Sequence, residues 1–185
     1  KEYEHNFPFE ARIDSIVSWF SLPLKERPRF CSLYFHEPDW TGHETGPRSQ
    51  ETEAVVLHLD SLFGDLISKL EQLPISNNLN IIALADHGMA EISSERTVDL
   101  SAYTEMSQII QEGSGPYAFL YSKKKNIIEP AVDQLKKAEH ISVYLKSDIP
   151  NRYHFKNHHR IKDALIVADE GWYIQNQAIS SSSTA

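Results

Sequence analysis

A chain of 185 residues, 41% apolar and 24% charged, has the make-up of one ordinary globular domain able to bury a core. Its formal net charge of −8 argues against a duplex nucleic-acid partner, yet leaves small anionic substrates open, because bound metal ions reverse the local field. No apolar run reaches the length of a membrane span, and no signal-peptide pattern opens the sequence. Cys31 is alone, so no disulfide forms within the chain and a buried free thiol is expected. The absence of an Asn-x-Ser/Thr sequon weakly disfavours a heavily glycosylated secreted form.

Residues 1–9 mix charges and aromatics and start abruptly, as though cut from a longer polypeptide. Residues 10–20 then have helical period, with Ile13, Ile16, Val17 and Phe20 on one face. Pro23 and Pro28 break the chain before an apolar run at 30–35 that predicts a buried strand. Residues 49–73 predict the longest helix, with an apolar stripe from Val55 to Leu73 and His58 partly buried beside it. Pro74 ends that helix, and residues 76–78 turn into a second apolar run at 79–85.

A strand, a helix and a second strand form a βαβ unit, whose parallel strands end on one edge of a sheet. Ligands bind at that edge in open α/β folds. Just past the first run stand Asp39 and His43, four apart on a loop kept tight by Pro38 and flexible by Gly42. Just past the second stand Asp86 and His87, adjacent and so expected to diverge, with Gly88 allowing close approach. Carboxylate oxygen and imidazole nitrogen are ordinary donors to zinc and similar ions. Either pair alone is equally well read as helix caps and loop-end packing. Both pairs together, at equivalent strand ends, favour a metal site. Tyr34, five residues before Asp39, is a candidate substrate-pocket wall, with a buried strand tyrosine as the alternative.

Beyond Met89 the pattern weakens. Residues 97–100 predict a short strand, 101–112 a short helix or irregular segment, and 113–116 a loop. Tyr117–Tyr121, Ile141–Leu145 and 163–168 read as strands, and 129–138 as a helix with Val132 and Leu135 inward. Lys123, Lys124 and Lys125 form a solvated turn. His154, His158 and His159 lie among Arg152, Lys156 and Arg160, whose charge opposes cation binding, so a solvated loop is expected there. The Ser/Thr tail, 178–185, is expected to be disordered.

The stretch Glu37-Pro38-Asp39-Trp40-Thr41-Gly42-His43-Glu44-Thr45-Gly46-Pro47 resembles the "EPDxxGHxxGP" signature of the nucleotide pyrophosphatase/phosphodiesterase family, within the alkaline phosphatase superfamily. Asp86-His87-Gly88-Met89 resembles its "SDHGM" signature, with Ala85 where Ser is common. Residues 149–155 with Arg160-Ile161, and 167–172 (Val-Ala-Asp-Glu-Gly-Trp), resemble two further family stretches in order. The resemblance implies an α/β fold with an alkaline-phosphatase-like, mostly parallel sheet flanked by helices and incomplete at both ends. Residues 1–177 would be part of the phosphodiesterase catalytic domain.

It also implies two Zn2+ per complete active site, with Asp39 and His43 on one ion and Asp86 and His87 on the other. A further His, a further Asp and the Thr nucleophile belong to family positions outside this chain, so the chain alone is expected to be inactive. Pro8-Phe9-Glu10-Ala11-Arg12 resembles the family's "PFeeR" stretch, which puts Tyr3 in the place of a substrate-holding aromatic. His36, beside Glu37, is a candidate residue of the pocket or its surroundings, with a strand-end histidine of no special task as the alternative; family members often carry Glu there. The implied substrate is a small phosphodiester such as a nucleotide, and the implied place extracellular, cell-surface or periplasmic. A choline- or lysophospholipid-type phosphodiesterase of the same family is an alternative, and a non-catalytic binding homologue is another. Sulfatases, which use a modified Cys or Ser, fit less well.

Overall fold

The computed structural model describes residues 4–175. Tyr3 and the expected disordered tail lie outside the described residues. The chain divides into two compact units, Lys1–Met89 and Ala90–Ala185.

In the first unit, α1 (Phe9–Ser21), α2 (Asp39–Thr45) and α3 (Gln50–Glu71) are joined by extended segments. The periods of α1 and α3 bring Ile13 and Ile16 against Leu62, Leu66 and Leu70, which are the unit's buried centre. Ser49 starts α3 by accepting the Thr52 N–H, and Glu51 and Glu53 sit in its first turn, favourably placed against the helix dipole. Lys69 spans the helices, with Nζ 2.7 Å from Asp14 and 2.8 Å from Asp65. His58, expected to be partly buried, is exposed on α3.

The two apolar runs are a correction. Neither forms a ladder strand among the described residues. Residues 31–35 nonetheless keep the pleat of a strand: Cys31, Leu33 and Phe35 pack toward the helices while Phe30 and Tyr34 point out. Burial raises the pKa of the Cys31 thiol, although that residue is only half-buried. Residues 80–88 are exposed throughout, Ile82 and Leu84 included. Apolar content made these runs look like strands; a ladder needs hydrogen-bonding neighbours, which the described residues do not supply.

In the second unit, β1 (Thr97–Val98) is followed by β2 (Ile110–Glu112), β3 (Tyr117–Tyr121), α4 (Ile128–Leu135), β4 (Ile141–Leu145), β5 (Ala164–Ala168) and β6 (Tyr173–Ile174). The main sheet has the order β2-β3-β5-β4 and every pairing in it is antiparallel. The parallel part of this α/β fold is the short β1–β6 pair. Within the main sheet β5 inserts between β3 and β4. Those two strands run the same way on either side of it, joined through α4 as a split βαβ unit. Alternation along β5 sends Ala164 and Ile166 into the core under α4, and Leu165 to a smaller cluster with Ile149 and Ile161. Residues 101–112 begin with a 3-10 turn in which Asp99 accepts from Ser101, then enter β2. No helix among the described residues is long and apolar enough to cross a membrane.

The Asp169-Glu170-Gly171-Trp172 stretch forms a braced turn. Trp172 stacks on His140 at 3.7 Å between ring centroids, and Asp169 Oδ2 lies 3.5 Å from His140 Nδ1. Gly171 has φ +79°, and an added Cβ would come 3.1 Å from the Glu91 carbonyl oxygen. Arg96 closes the turn by donating to the carbonyls of Gly171 and Glu91. Gly171→Ala is therefore expected to destabilise this unit by about 1–3 kcal/mol, read as a lower urea midpoint at unchanged slope.

Candidate metal and substrate site

The first donor pair is built on a helix where a loop was expected. Glu37 makes that helix possible: its carboxylate accepts from both the N–H (3.1 Å) and the hydroxyl (3.0 Å) of Thr41, satisfying a donor the first turn leaves over. On α2 the four-residue spacing closes Asp39 and His43 together, with Nε2 3.5 Å from Oδ1. That distance and geometry make no hydrogen bond, and Asp39 Oδ1 is a buried oxygen without a hydrogen-bond partner. A buried carboxylate oxygen in that state is costly unless something else binds it.

The second pair is a turn at the end of the exposed run. The two side chains, expected to diverge, approach one another: His87 Nε2 is 3.6 Å from Asp86 Oδ2, while the His87 N–H donates to Asp86 Oδ1 at 3.1 Å. The other ring nitrogen, Nδ1, lies 3.1 Å from the Gly88 carbonyl. No neighbouring backbone approaches Gly88, since an added Cβ would meet open space.

The glycine that matters is Gly42. A Cβ there would fall 2.6 Å from Met89 Sδ, so the methionine of the second turn lies directly on the bare backbone of α2. This contact ties the two loops together. It does not merge the pairs: no group of three or more His, Cys, Asp or Glu among the described residues is arranged to hold a metal ion. The donor chemistry, two carboxylates and two imidazoles with one orphaned oxygen, fits zinc as two half-sites.

Tyr34 is 57% exposed, as a pocket wall requires and a buried strand tyrosine does not. Its carbonyl accepts from Arg12 Nη1 at 2.8 Å, and the same guanidinium donates to the carbonyls of Glu4, His5 and Phe7. Arg12 is 8% exposed. Sequence reasoning used Arg12 only to align a motif; its signal was a cation beside Ile13 on the inward face of a helix, where a charge needs partners. His36 stacks on His5 at 4.1 Å, with Phe9 edge-on at 5.1 Å, and its Nδ1 is buried without a hydrogen bond.

Burial, then His5, lower the pKa of His36; Glu37 opposes them and Arg12 adds to the fall. The folded state thus binds the proton less well than the unfolded chain. Stability is expected to decline as pH drops below the ordinary value of 6.5 and on through the folded value. His36→Phe should flatten that part of the profile, measured by urea unfolding at stepped pH.

Residues 1–182 match the family model described as type I phosphodiesterase / nucleotide pyrophosphatase. The chain belongs to this family. Among its relatives, human bis(5'-adenosyl)-triphosphatase ENPP4 is 37% identical over 175 residues, covering 93% of this chain and 38% of the relative. A venom phosphodiesterase of Crotalus durissus collilineatus is 34% identical over 181 residues, covering 93% and 22%. The solved structure of murine ectonucleotide pyrophosphatase/phosphodiesterase 5 superposes with a TM-score of 0.77 at 35% identity, over 96% of this chain and 48% of that one. An inactive variant of the murine protein in complex with AMP gives 0.76 at 34%, over 96% and 47%. This chain therefore spans about half the length of those structures and less than two fifths of the curated relatives.

Proposed function

We propose that the chain is the Asp/His-rich part of a metal-dependent phosphodiesterase that hydrolyses phosphodiester or pyrophosphate bonds in nucleotides. The observation that carries this is the pair of Asp/His half-sites on two loops, held together where Met89 packs on Gly42. Asp39 and His43 would hold one zinc ion, and Asp86 and His87 the other. The ions, when bound, supply Lewis-acid polarisation of the phosphoryl oxygens and lower the barrier to attack. The chain's own part is to fix the donors: Glu37 braces α2, Met89 fixes the second turn, and Arg12 holds the backbone at Tyr34. Tyr34 and Tyr3 would line the substrate pocket. Nucleotides are preferred over choline-linked or lysophospholipid substrates because one relative is named as a bis(5'-adenosyl)-triphosphatase and a similar solved structure holds AMP. Relatives named as venom and ectonucleotide enzymes favour an extracellular or cell-surface place.

Four donors in two half-sites do not make two complete zinc sites. The 185-residue chain is thus expected to bind zinc weakly and to leave p-nitrophenyl phosphodiesters uncut. Measurable turnover by this chain would contradict the proposal. The lack of a three-donor group among the described residues also keeps a non-catalytic binding homologue in view. Metal analysis and a phosphodiesterase assay on a form carrying the whole family domain separate the two. About two zinc ions per chain, with activity lost in Asp86→Ala, indicate the enzyme; a metal-free, inactive protein indicates the binding homologue.

A further inference from the structure

We infer that Arg96 is a positioning residue for the second donor pair: its guanidinium fixes the chain that leaves the Asp86–His87 turn. The inference rests on the reading of Asp86 and His87 as metal donors.

That pair ends a run with little to hold it. Among the described residues, no backbone–backbone hydrogen bond and no ladder partner secures 80–88. The His87 N–H to Asp86 Oδ1 bond and the contact of His87 Nδ1 with the Gly88 carbonyl shape the turn without attaching it to another element. Donors on a loose turn must be ordered when the ion arrives, and that entropy is subtracted from the affinity. What orders this turn in advance lies downstream. Met89, on the bare backbone of Gly42, is the first fixed point. Glu91 is the second, because its carbonyl accepts from Arg96 Nη2 at 2.8 Å.

The other end of that clamp is rigid. Arg96 Nε donates to the Gly171 carbonyl at 3.1 Å, inside the turn where Trp172 lies flat on His140. The Asp169 N–H donates to the His140 carbonyl at 2.9 Å, and the Trp172 N–H to the Asp169 carbonyl at 3.0 Å. The Arg96 carbonyl accepts from the Tyr173 N–H at 2.9 Å, where the β1–β6 pair begins, so backbone and side chain of Arg96 grip the same turn. Gly171 makes the close fit possible: a Cβ there would lie 3.1 Å from the Glu91 carbonyl oxygen and 3.5 Å from Arg96 Cζ. A planar guanidinium can hold two carbonyls at once in a set geometry, which a single ammonium nitrogen does poorly. Arg96 therefore leaves only residues 88–90 between His87 and a fixed carbonyl.

The test uses the 185-residue chain and nuclear magnetic resonance, first for backbone relaxation without metal, then for zinc titrations followed at the imidazoles of His43 and His87. Arg96→Ala is expected to drop the order parameters of residues 89–91 below about 0.6. It should weaken zinc at His87 about tenfold and leave His43 unchanged. Arg96→Lys should recover part of both losses. Gly171→Ala presses on the Glu91 carbonyl from the other side with the guanidinium in place. It should reproduce the selective loss at His87, and it decides the matter should Arg96→Ala not fold. Equal weakening at His43 and His87 would make the role of Arg96 purely structural and overturn the proposal. An unchanged zinc response at His87 in the Arg96 and Gly171 variants, where Asp86→Asn lowers it, overturns the proposal and leaves the reading of the site standing. A His87 response indifferent to Asp86→Asn overturns the reading of the site and this proposal with it.

Discussion

Asp39→Asn is expected to weaken zinc binding by the chain about 10–100-fold and to leave folding nearly intact. Asparagine keeps the size and one oxygen of the side chain but loses the charge. The Asp39 Oδ1 atom is buried and makes no hydrogen bond; its one neighbour of opposite charge is the exposed His43 imidazole at 3.5 Å, a pairing worth little to the fold. Removing an unsatisfied acceptor is close to neutral for stability, and replacing a charged acceptor by a neutral amide relieves desolvation. Asp86 differs, because its Oδ1 accepts the His87 N–H and its carboxylate is exposed. Asp86→Asn should lower zinc affinity by a similar factor at the other half-site. Because no three donors converge among the described residues, the two substitutions are expected to act almost additively in this chain. Chelator competition on the two single variants and the double variant measures this. An Asp39→Asn protein that binds zinc as the parent does, or that loses several kcal/mol of stability, would assign Asp39 a structural role instead.

The helices were legible because their apolar spacing is a local property: Ile13 and Ile16, and Leu62, Leu66 and Leu70, meet where their periods place them. Three strands of the second unit, β3, β4 and β5, were legible one by one, since a short apolar run is also a local signal; β2 fell in a stretch read as a helix or irregular segment, and β6 was not anticipated. Their order was not. Which strand lies between β3 and β4 depends on pairing β5 with β3, more than forty residues before it, as well as with the nearer β4, and nothing in either strand's composition encodes it. The runs at 30–35 and 79–85 show the same limit from the other side, because apolar content states a preference for burial and says nothing of a hydrogen-bonding neighbour. In the site, the identity of the four donors was visible from residue type and spacing. The helix beneath Asp39 was hidden, since it depends on the Glu37 side chain reaching Thr41. The diverging side chains expected for adjacent Asp86 and His87 failed because the turn folds the imidazole back onto its own neighbour's carboxylate.

Arg12→Ala is expected to destabilise the first unit by about 2–4 kcal/mol, the largest loss predicted for any single polar side chain here. The guanidinium is nearly buried and donates to four carbonyls, those of Glu4, His5, Phe7 and Tyr34. Its charge also lies 5.1 Å from the centre of the Phe9 ring. Charge-assisted bonds of this kind are stronger than neutral ones, and losing the donor strands every acceptor that water cannot reach. Arg12→Lys should recover only part of the loss. An ammonium has three donors on one nitrogen and cannot reproduce the planar fork that spans residues 4–7 and Tyr34 at once. The consequence for the site is separate from the loss of stability. With the cage gone, residues 4–7 and the backbone under Tyr34 lose their common anchor, while Asp39 and His43 stay on a helix braced by Glu37. Arg12→Ala is therefore expected to weaken AMP binding with little change in zinc affinity. Asp39→Asn should lower zinc affinity first and AMP binding as a result. Calorimetry with each ligand on both variants, run alongside urea unfolding, separates the two patterns. Equal losses of zinc and AMP affinity in Arg12→Ala would mean that the guanidinium supports the donor helix itself, and the division of labour argued for Arg12 and Glu37 would fall.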